Sequence, residues 1–207
     1  MTDKKIKFWT PGLDVVSPID ESQLPQFAKW VQYNCFRNPD KYHEGFDFAA
    51  FLDSKGICYL GLPSELEVRA IIEGVVTEVI KRSDFLYNNQ VTIQHEGESD
   101  RMYSGYCHIA PIVKKGDVVE AGQPIGRLVH QRLDGRSLHL IHLHLGLVNI
   151  EDYTCKDIDG YTVEGRKKIY HNPVQILFPN QRLPSWKQYR DTAIVTQETL
   201  DDKIRFP

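Results

Sequence analysis

Between about residue 43 and residue 148 the chain runs in short apolar stretches of Val, Ile, Tyr and Thr, broken by glycine. That rhythm predicts strands. They fall over 67–72, 74–81, 90–95, 101–109, 124–130 and 140–148, with glycines at 74, 97, 116, 122 and 126 marking turns. Closely spaced strands of this kind predict a mainly β fold, an antiparallel sheet or barrel-like sandwich. One helix is expected upstream, over 22–36, because Leu24, Phe27, Ala28, Val31 and Cys35 recur at helical spacing behind a capping Ser22. Pro25 sits in its first turn, where proline is tolerated, and Asn38-Pro39-Asp40 breaks the chain after it. Asn172-Pro173 through Leu177 predicts a short closing helix or turn. The organisation expected is an N-terminal extension over 1–35, one central domain over 36–178, and a polar tail over 179–207 packed on that domain.

Composition narrows the function classes. Apolar residues make up 41% and charged residues 26% of the 207, close to globular averages, so disorder and coiled coil are excluded. A net charge of −3 gives no basic footprint for nucleic acid. No apolar run reaches the ~20 residues of a membrane helix. The start, Met1 to Lys7, is charged with no apolar stretch behind it, so a chain not exported by the standard route is expected. Cys35, Cys58, Cys107 and Cys155 show no CxxC spacing and read as free, mostly buried thiols.

Candidate chemistry lies in three segments. In His139-Leu140-Ile141-His142-Leu143-His144-Leu145-Gly146-Leu147, a strand would send Ile141, Leu143, Leu145 and Leu147 to the core. His142 and His144 would then share the other face, roughly 6.7 Å apart along the backbone, with His139 on the opposite parity. In His43-Glu44-Gly45-Phe46-Asp47, read as extended chain, His43 and Asp47 share a face while Phe46 and Phe48 take the core. In Met102 through Ile109, alternation groups Met102, Ser104, Tyr106 and His108 together and turns Cys107 away from His108. That separation argues against a cysteine–histidine nucleophile. Together these segments offer four histidines and one aspartate. Catalytic zinc takes three protein ligands and keeps a fourth position open. Three of the five suit that role, and the other two could hold water or a transition-state oxygen. Spacing alone does not say which three.

These elements, in this order, resemble the lysostaphin-type (LytM-like) zinc metallopeptidases, which cleave peptide cross-links in bacterial cell walls. The resemblance runs from Phe36-Arg37 through His43-Glu44-Gly45-Phe46-Asp47, Glu67 to Val76, Asn89 to His95 and Tyr106-Cys107-His108-Ile109. It continues through Lys115-Gly116-Asp117 to Gly126, similar to the family's GDxVxxGQxIG stretch, then His142-Leu143-His144 and Asn172 to Leu177. It implies a metal bound by His43, Asp47 and His144, one zinc ion per chain, with His108 and His142 as catalytic histidines. Zinc brings the pKa of bound water from about 15.7 to near 7 and polarises a carbonyl. One of the two histidines would then take the proton of the attacking water, and the other would steady the oxyanion or protonate the leaving amine. The implied substrate is a peptidoglycan peptide or another peptide, met outside the cytoplasmic membrane.

The chain departs from the family pattern in two places. About 27 residues separate Asp47 from Gly74, so an insertion around Leu52 to Gly56 beside the cleft is expected. Gly135 to Ile141 replaces the usual small-residue turn before HxH. Two other classes fit less well. A zinc-containing binding or regulatory module would need neither His108 nor His142. A biotinyl- or lipoyl-carrier reading of the Gly116–Gly126 stretch lacks the modifiable lysine tripeptide.

Overall fold

The computed structural model describes residues 9, 13–33, 43–81, 89–96, 101–129, 140–150 and 170–195. The expected features at Cys35, Phe36-Arg37, Asn38 to Asp40, Gly97, 135–139 and Cys155 lie outside the described residues.

The fold is mainly β, as the pattern predicts. Its centre is an antiparallel sheet in which β6 (Gly74–Ile80), β7 (Gln90–His95), β8 (Arg101–Cys107) and β12 (Leu143–Ile150) lie side by side. β10 (Val118–Val119) closes one edge. The far edge of β12 is shared end to end by β2 (Gly45–Phe48) and β13 (Tyr170–His171). A second, three-stranded sheet of β5 (Glu67–Arg69), β11 (Pro124–Leu128) and β9 (Ile109–Pro111) packs on the same core. Alternation explains the core face of the central sheet. Phe46, Phe48, Leu143, Leu145, Leu147, Val91, Ile93 and Tyr106 are all buried on it. α1 (Pro173–Leu177) closes the segment after β13, with the Asn172 side chain accepting from the Val174 N–H at its start. Among the described residues no helix is long and apolar enough to cross a membrane.

The expected helix over 22–36 is absent from its described part, 22–33. Instead Asp20 caps a single 3-10 turn, Glu21–Gln23, and Leu24 is already extended, with φ −93° and ψ 140°. Pro25 is the cause, because proline clashes with a helical residue before it. Gln26 then takes φ 48° and the chain leaves as β1 (Phe27–Val31). The apolar residues that matched a helical stripe divide between two faces of a strand. Trp30 enters the main core against Phe48, while Val31 enters a second core.

That second core takes up the residues around Leu52 to Gly56, where the sequence leads one to expect an insertion. β3 (Ala50–Asp53) and β4 (Cys58–Leu60) form a hairpin, with the Asp53 carboxylate accepting from Lys55 and Ile57 N–H in its turn. β1 pairs with β3 on one side, and β14 (Ile194–Val195) pairs in parallel with β4 on the other. The sheet therefore unites residues from the chain's early part, the hairpin of β3 and β4, and its late part. One face, with Trp30, Phe51 and Tyr59, joins the main core. The other, with Val31, Ala50, Leu52, Cys58 and Leu60, packs against Leu140 and Trp186.

Candidate active site

Cross-strand register assembles the site. β2 and β12 run antiparallel with Asp47 opposite His144. Opposed residues project to the same face, so a carboxylate and an imidazole from positions 97 residues apart meet directly. Leu143, between the two histidines of the motif, pairs with Phe48 and turns to the core, so the apolar residues flanking His144 pin it outward.

His43 lies just ahead of β2. Its Nε2 is 3.0 Å from Asp47 Oδ1 and 3.1 Å from His144 Nδ1, and His144 Nδ1 is 2.9 Å from the same carboxylate oxygen. Three potential ligand atoms thus converge on one point, and together they can hold a metal ion. Zinc bonds of ~2.0–2.1 Å in a tetrahedral site need such donors a little over 3 Å apart, so the set fits. Nδ1 of His43 is buried with no hydrogen-bond partner among the described residues.

The Asp47 carboxyl is nearly inaccessible, at 2% exposure. Burial is the largest influence on it and opposes ionisation. The His142 charge, hydrogen bonds from His144 and His43, and the His144 charge together overcome burial and hold it well below the usual carboxylate range. The group meets a cation as a carboxylate.

His142 precedes β12, which begins at Leu143, three residues later than the pattern predicts. Its Nε2 lies 3.9 Å from Asp47 Oδ1. Its Nδ1 lies 2.6 Å from the Leu140 carbonyl oxygen. A carbonyl only accepts, so Nδ1 carries a proton, and whenever the ring is neutral its lone pair is on Nε2, turned to the site.

His108 stands beside this pair, its ring centroid 4.6 Å from that of His142 and 6.2 Å from that of His144. The route by which it gets there differs from simple alternation. Met102, Ser104 and Tyr106 face the core, and Tyr106 accepts from the Ile71 N–H there. Cys107, opposite both His144 and Gln90, is the residue on the site face. The strand ends at Cys107, and His108 adopts φ 69°. That left-handed residue redirects its side chain to the site face. It is held by its own N–H donating to Asn89 O and its carbonyl accepting from Val129 N–H.

Cys107 nevertheless lacks the character of a nucleophile. Burial, then the negative charges of Asp47 and Glu44, push its thiol up to about 12. Its Sγ lies 3.5 Å from Gln90 Oε1. Cys107 and Gln90 form the floor next to His144. No motif signals them, because they are visible only once the register is known. Tyr33, after β1, also feels the site, its hydroxyl raised by burial and by the Asp47 charge.

Residues 41–153, more than half of the chain, match the family model described as Peptidase family M23. Among curated proteins no sequence matches. Among solved structures, lysostaphin in solution aligns over 81% of this chain and 59% of its own, at 18% identity and TM-score 0.50, and shares the fold. A Pseudomonas aeruginosa protein assigned to peptidase M23 aligns at 18% identity and TM-score 0.47, over 83% of this chain and 55% of its own. The catalytic domain of lysostaphin from Staphylococcus simulans aligns at 18% identity and TM-score 0.46, over 77% of this chain and 98% of its own. The chain spans a little over half the length of the first two.

Proposed function

Because the chain belongs to peptidase family M23, we propose that it is a zinc-dependent endopeptidase hydrolysing peptide bonds, most naturally those of peptidoglycan cross-links. The observation that carries this reading is the convergence of His43 Nε2, Asp47 Oδ1 and His144 Nδ1 within 3.1 Å of one another, flanked by two further imidazoles. Pure metal binding needs the first three groups only, and the flanking pair is what hydrolysis adds.

In this reading His43, Asp47 and His144 hold one zinc ion. When bound, it supplies a Lewis acid that acidifies water and polarises the scissile carbonyl. His142 is the general base, since the neutral ring with its proton on Nδ1 has only Nε2 free to accept from the attacking water. The proton then passes from the same nitrogen to the leaving amine. His108 stands where a donor can steady charge growing on the carbonyl oxygen. The central domain of 36–178 is the peptidase unit, and the substrate class follows from the cell-wall action of lysostaphin-type enzymes.

The test is to incubate the zinc-loaded protein with isolated peptidoglycan and read the muropeptides by mass spectrometry. Loss of cross-linked dimers, stopped by a chelator and restored by added zinc, is expected and identifies the bond. Unchanged muropeptides from a protein carrying one zinc per chain would refute the substrate assignment. Continued cleavage by the metal-free protein would refute the mechanism.

A further inference from the structure

The bond that sets the His142 tautomer depends on a single backbone carbonyl, that of Leu140. What holds this carbonyl in place is on either side of it. The Leu140 side chain is 6% exposed and packs into the second core with Val31, Ala50, Leu52, Cys58, Leu60 and Trp186. The next side chain, Ile141, is 4% exposed and packs into the main core. The peptide unit between them is therefore pinned by two separate cores. The following peptide unit is tied as well, since the Ile141 carbonyl accepts from the Leu62 N–H at 2.9 Å, just beyond β4. The unit cannot turn its oxygen away from His142 without drawing one of the two side chains out of its core.

The second core is completed by segments outside the family match. Val31 belongs to β1 and Trp186 to the late part of the chain, both beyond residues 41–153. They are fastened together: the Gln32 N–H donates to Pro184 O at 2.9 Å, the Trp186 N–H donates to Gln32 O at 3.1 Å, and the Tyr33 and Trp186 rings lie 5.5 Å apart. Trp186 is itself 6% exposed.

We infer that Leu140 is a positioning residue for His142, and that through its side chain the early and late segments of the chain govern whether the site is competent. The inference rests on the reading of His142 as the general base. Leu140 touches no reacting atom. Its role is to keep the carbonyl on Nδ1, so that the lone pair stays on Nε2. A smaller residue at 140, or at 186 some 46 positions away, loosens the peptide unit and lets the imidazole sample the other tautomer and other ring orientations.

The test compares Leu140→Ala, Leu140→Met, Trp186→Ala and Trp186→Phe with the wild-type chain. It measures kcat, KM, zinc stoichiometry and the 15N resonances of His142, assigned through His142→Gln. Loss of the partner that orients a site histidine costs about 10- to 100-fold in activity. The two alanine variants should lose kcat on that scale with KM changed by less than about threefold, the pattern of an interaction made in the transition state. Zinc should remain at one per chain. Leu140→Met and Trp186→Phe should retain most of the activity. In wild type the His142 nitrogens should show a protonated Nδ1 and an unprotonated Nε2, and in the alanine variants that distinction should shrink. Should Leu140→Ala fail to fold, Leu140→Val is read in the same way with a smaller effect. Alanine variants that keep wild-type kcat overturn the inference, as does a fall in kcat with the 15N signature unchanged. If the wild-type chain cleaves no peptide, the peptidase reading falls alone. The 15N comparison between wild type and Leu140→Ala then still decides the positioning role.

Discussion

Replacing Gly45 with alanine tests whether the metal-ligand geometry is set by close approach of β2 and β12. A Cβ at this position would overlap the Leu145 carbonyl oxygen on the paired strand and sit 2.7 Å from His144 Nε2 and 2.8 Å from His144 Cε1. Ordinary contact begins near 3.4 Å, so the imidazole must retreat by several tenths of an ångström and the strand with it. The ring is also fixed at its other nitrogen, 2.9 Å from Asp47, so any retreat spoils the ligand set. Overpacking of this kind costs about 1–3 kcal/mol. In a domain of this size each kcal/mol lowers Tm by roughly 2–4 °C. A misplacement approaching 1 Å in a site costs about 100-fold in rate. Gly45→Ala should therefore melt several degrees lower, bind zinc more weakly in chelator competition, and lose about 10- to 100-fold in kcat/KM, on the scale of a disturbed ligand shell. Wild-type Tm together with wild-type zinc affinity would refute the argument, because it would mean the two strands lie further apart than the register implies.

Three further outcomes are expected. His142→Ala should retain one zinc per chain while turnover falls by about 10²- to 10⁴-fold, the usual worth of a general base; loss of zinc from this variant would reverse the ligand assignment. Asp47→Asn should do the opposite and fail to retain zinc in a dialysed sample, since the one anionic ligand is gone. Tyr106 carries the pH prediction: burial pushes its hydroxyl up to about 12 from 10.0, against hydrogen bonds from Ser104 and Ile71. The neutral form is the folded one, so its contribution is intact below pH 10 and is lost as pH rises through 12. At about 1.4 kcal/mol per pH unit this amounts to about 3 kcal/mol. Chemical denaturation between about pH 9 and 12 measures it, and a flat profile that Tyr106→Phe leaves unchanged would contradict it.

The sequence is most legible where the period of the side chains and the burial agree. Phe46, Phe48, Leu143, Leu145 and Leu147 alternate strictly, and their regularity carries Asp47 and His144 onto one face. The strand over 90–95 is found at those residues for the same reason. Legibility fails where a local backbone feature interrupts the period. His108 reaches the site by a left-handed residue, not by the parity of Met102, Ser104 and Tyr106, and only a histidine-tolerant φ of 69° permits it. It fails again at 22–36, where apolar spacing fits a helix but Pro25 forbids one and Trp30 and Val31 serve two cores. The partnership of Cys107, Gln90 and His144 depends on register between distant strands, which no local pattern encodes.

The pairing of β14 with β4 has a consequence for synthesis. These strands join residues 59 and 60 to residues 194 and 195, so the second core cannot close until nearly all of the described chain has been made. Contacts so distant in sequence are slow to form, because the loop must be closed before the pairing rewards it. Until then β4 carries an open edge and the hairpin carries the apolar surface of Leu52 and Leu60, the kind of strand that recruits other chains. The same order makes the late strand a point of vulnerability: a chain cut back to 41–153 would keep every proposed ligand and both flanking histidines, yet expose the sheet edges that β1 and β14 cover.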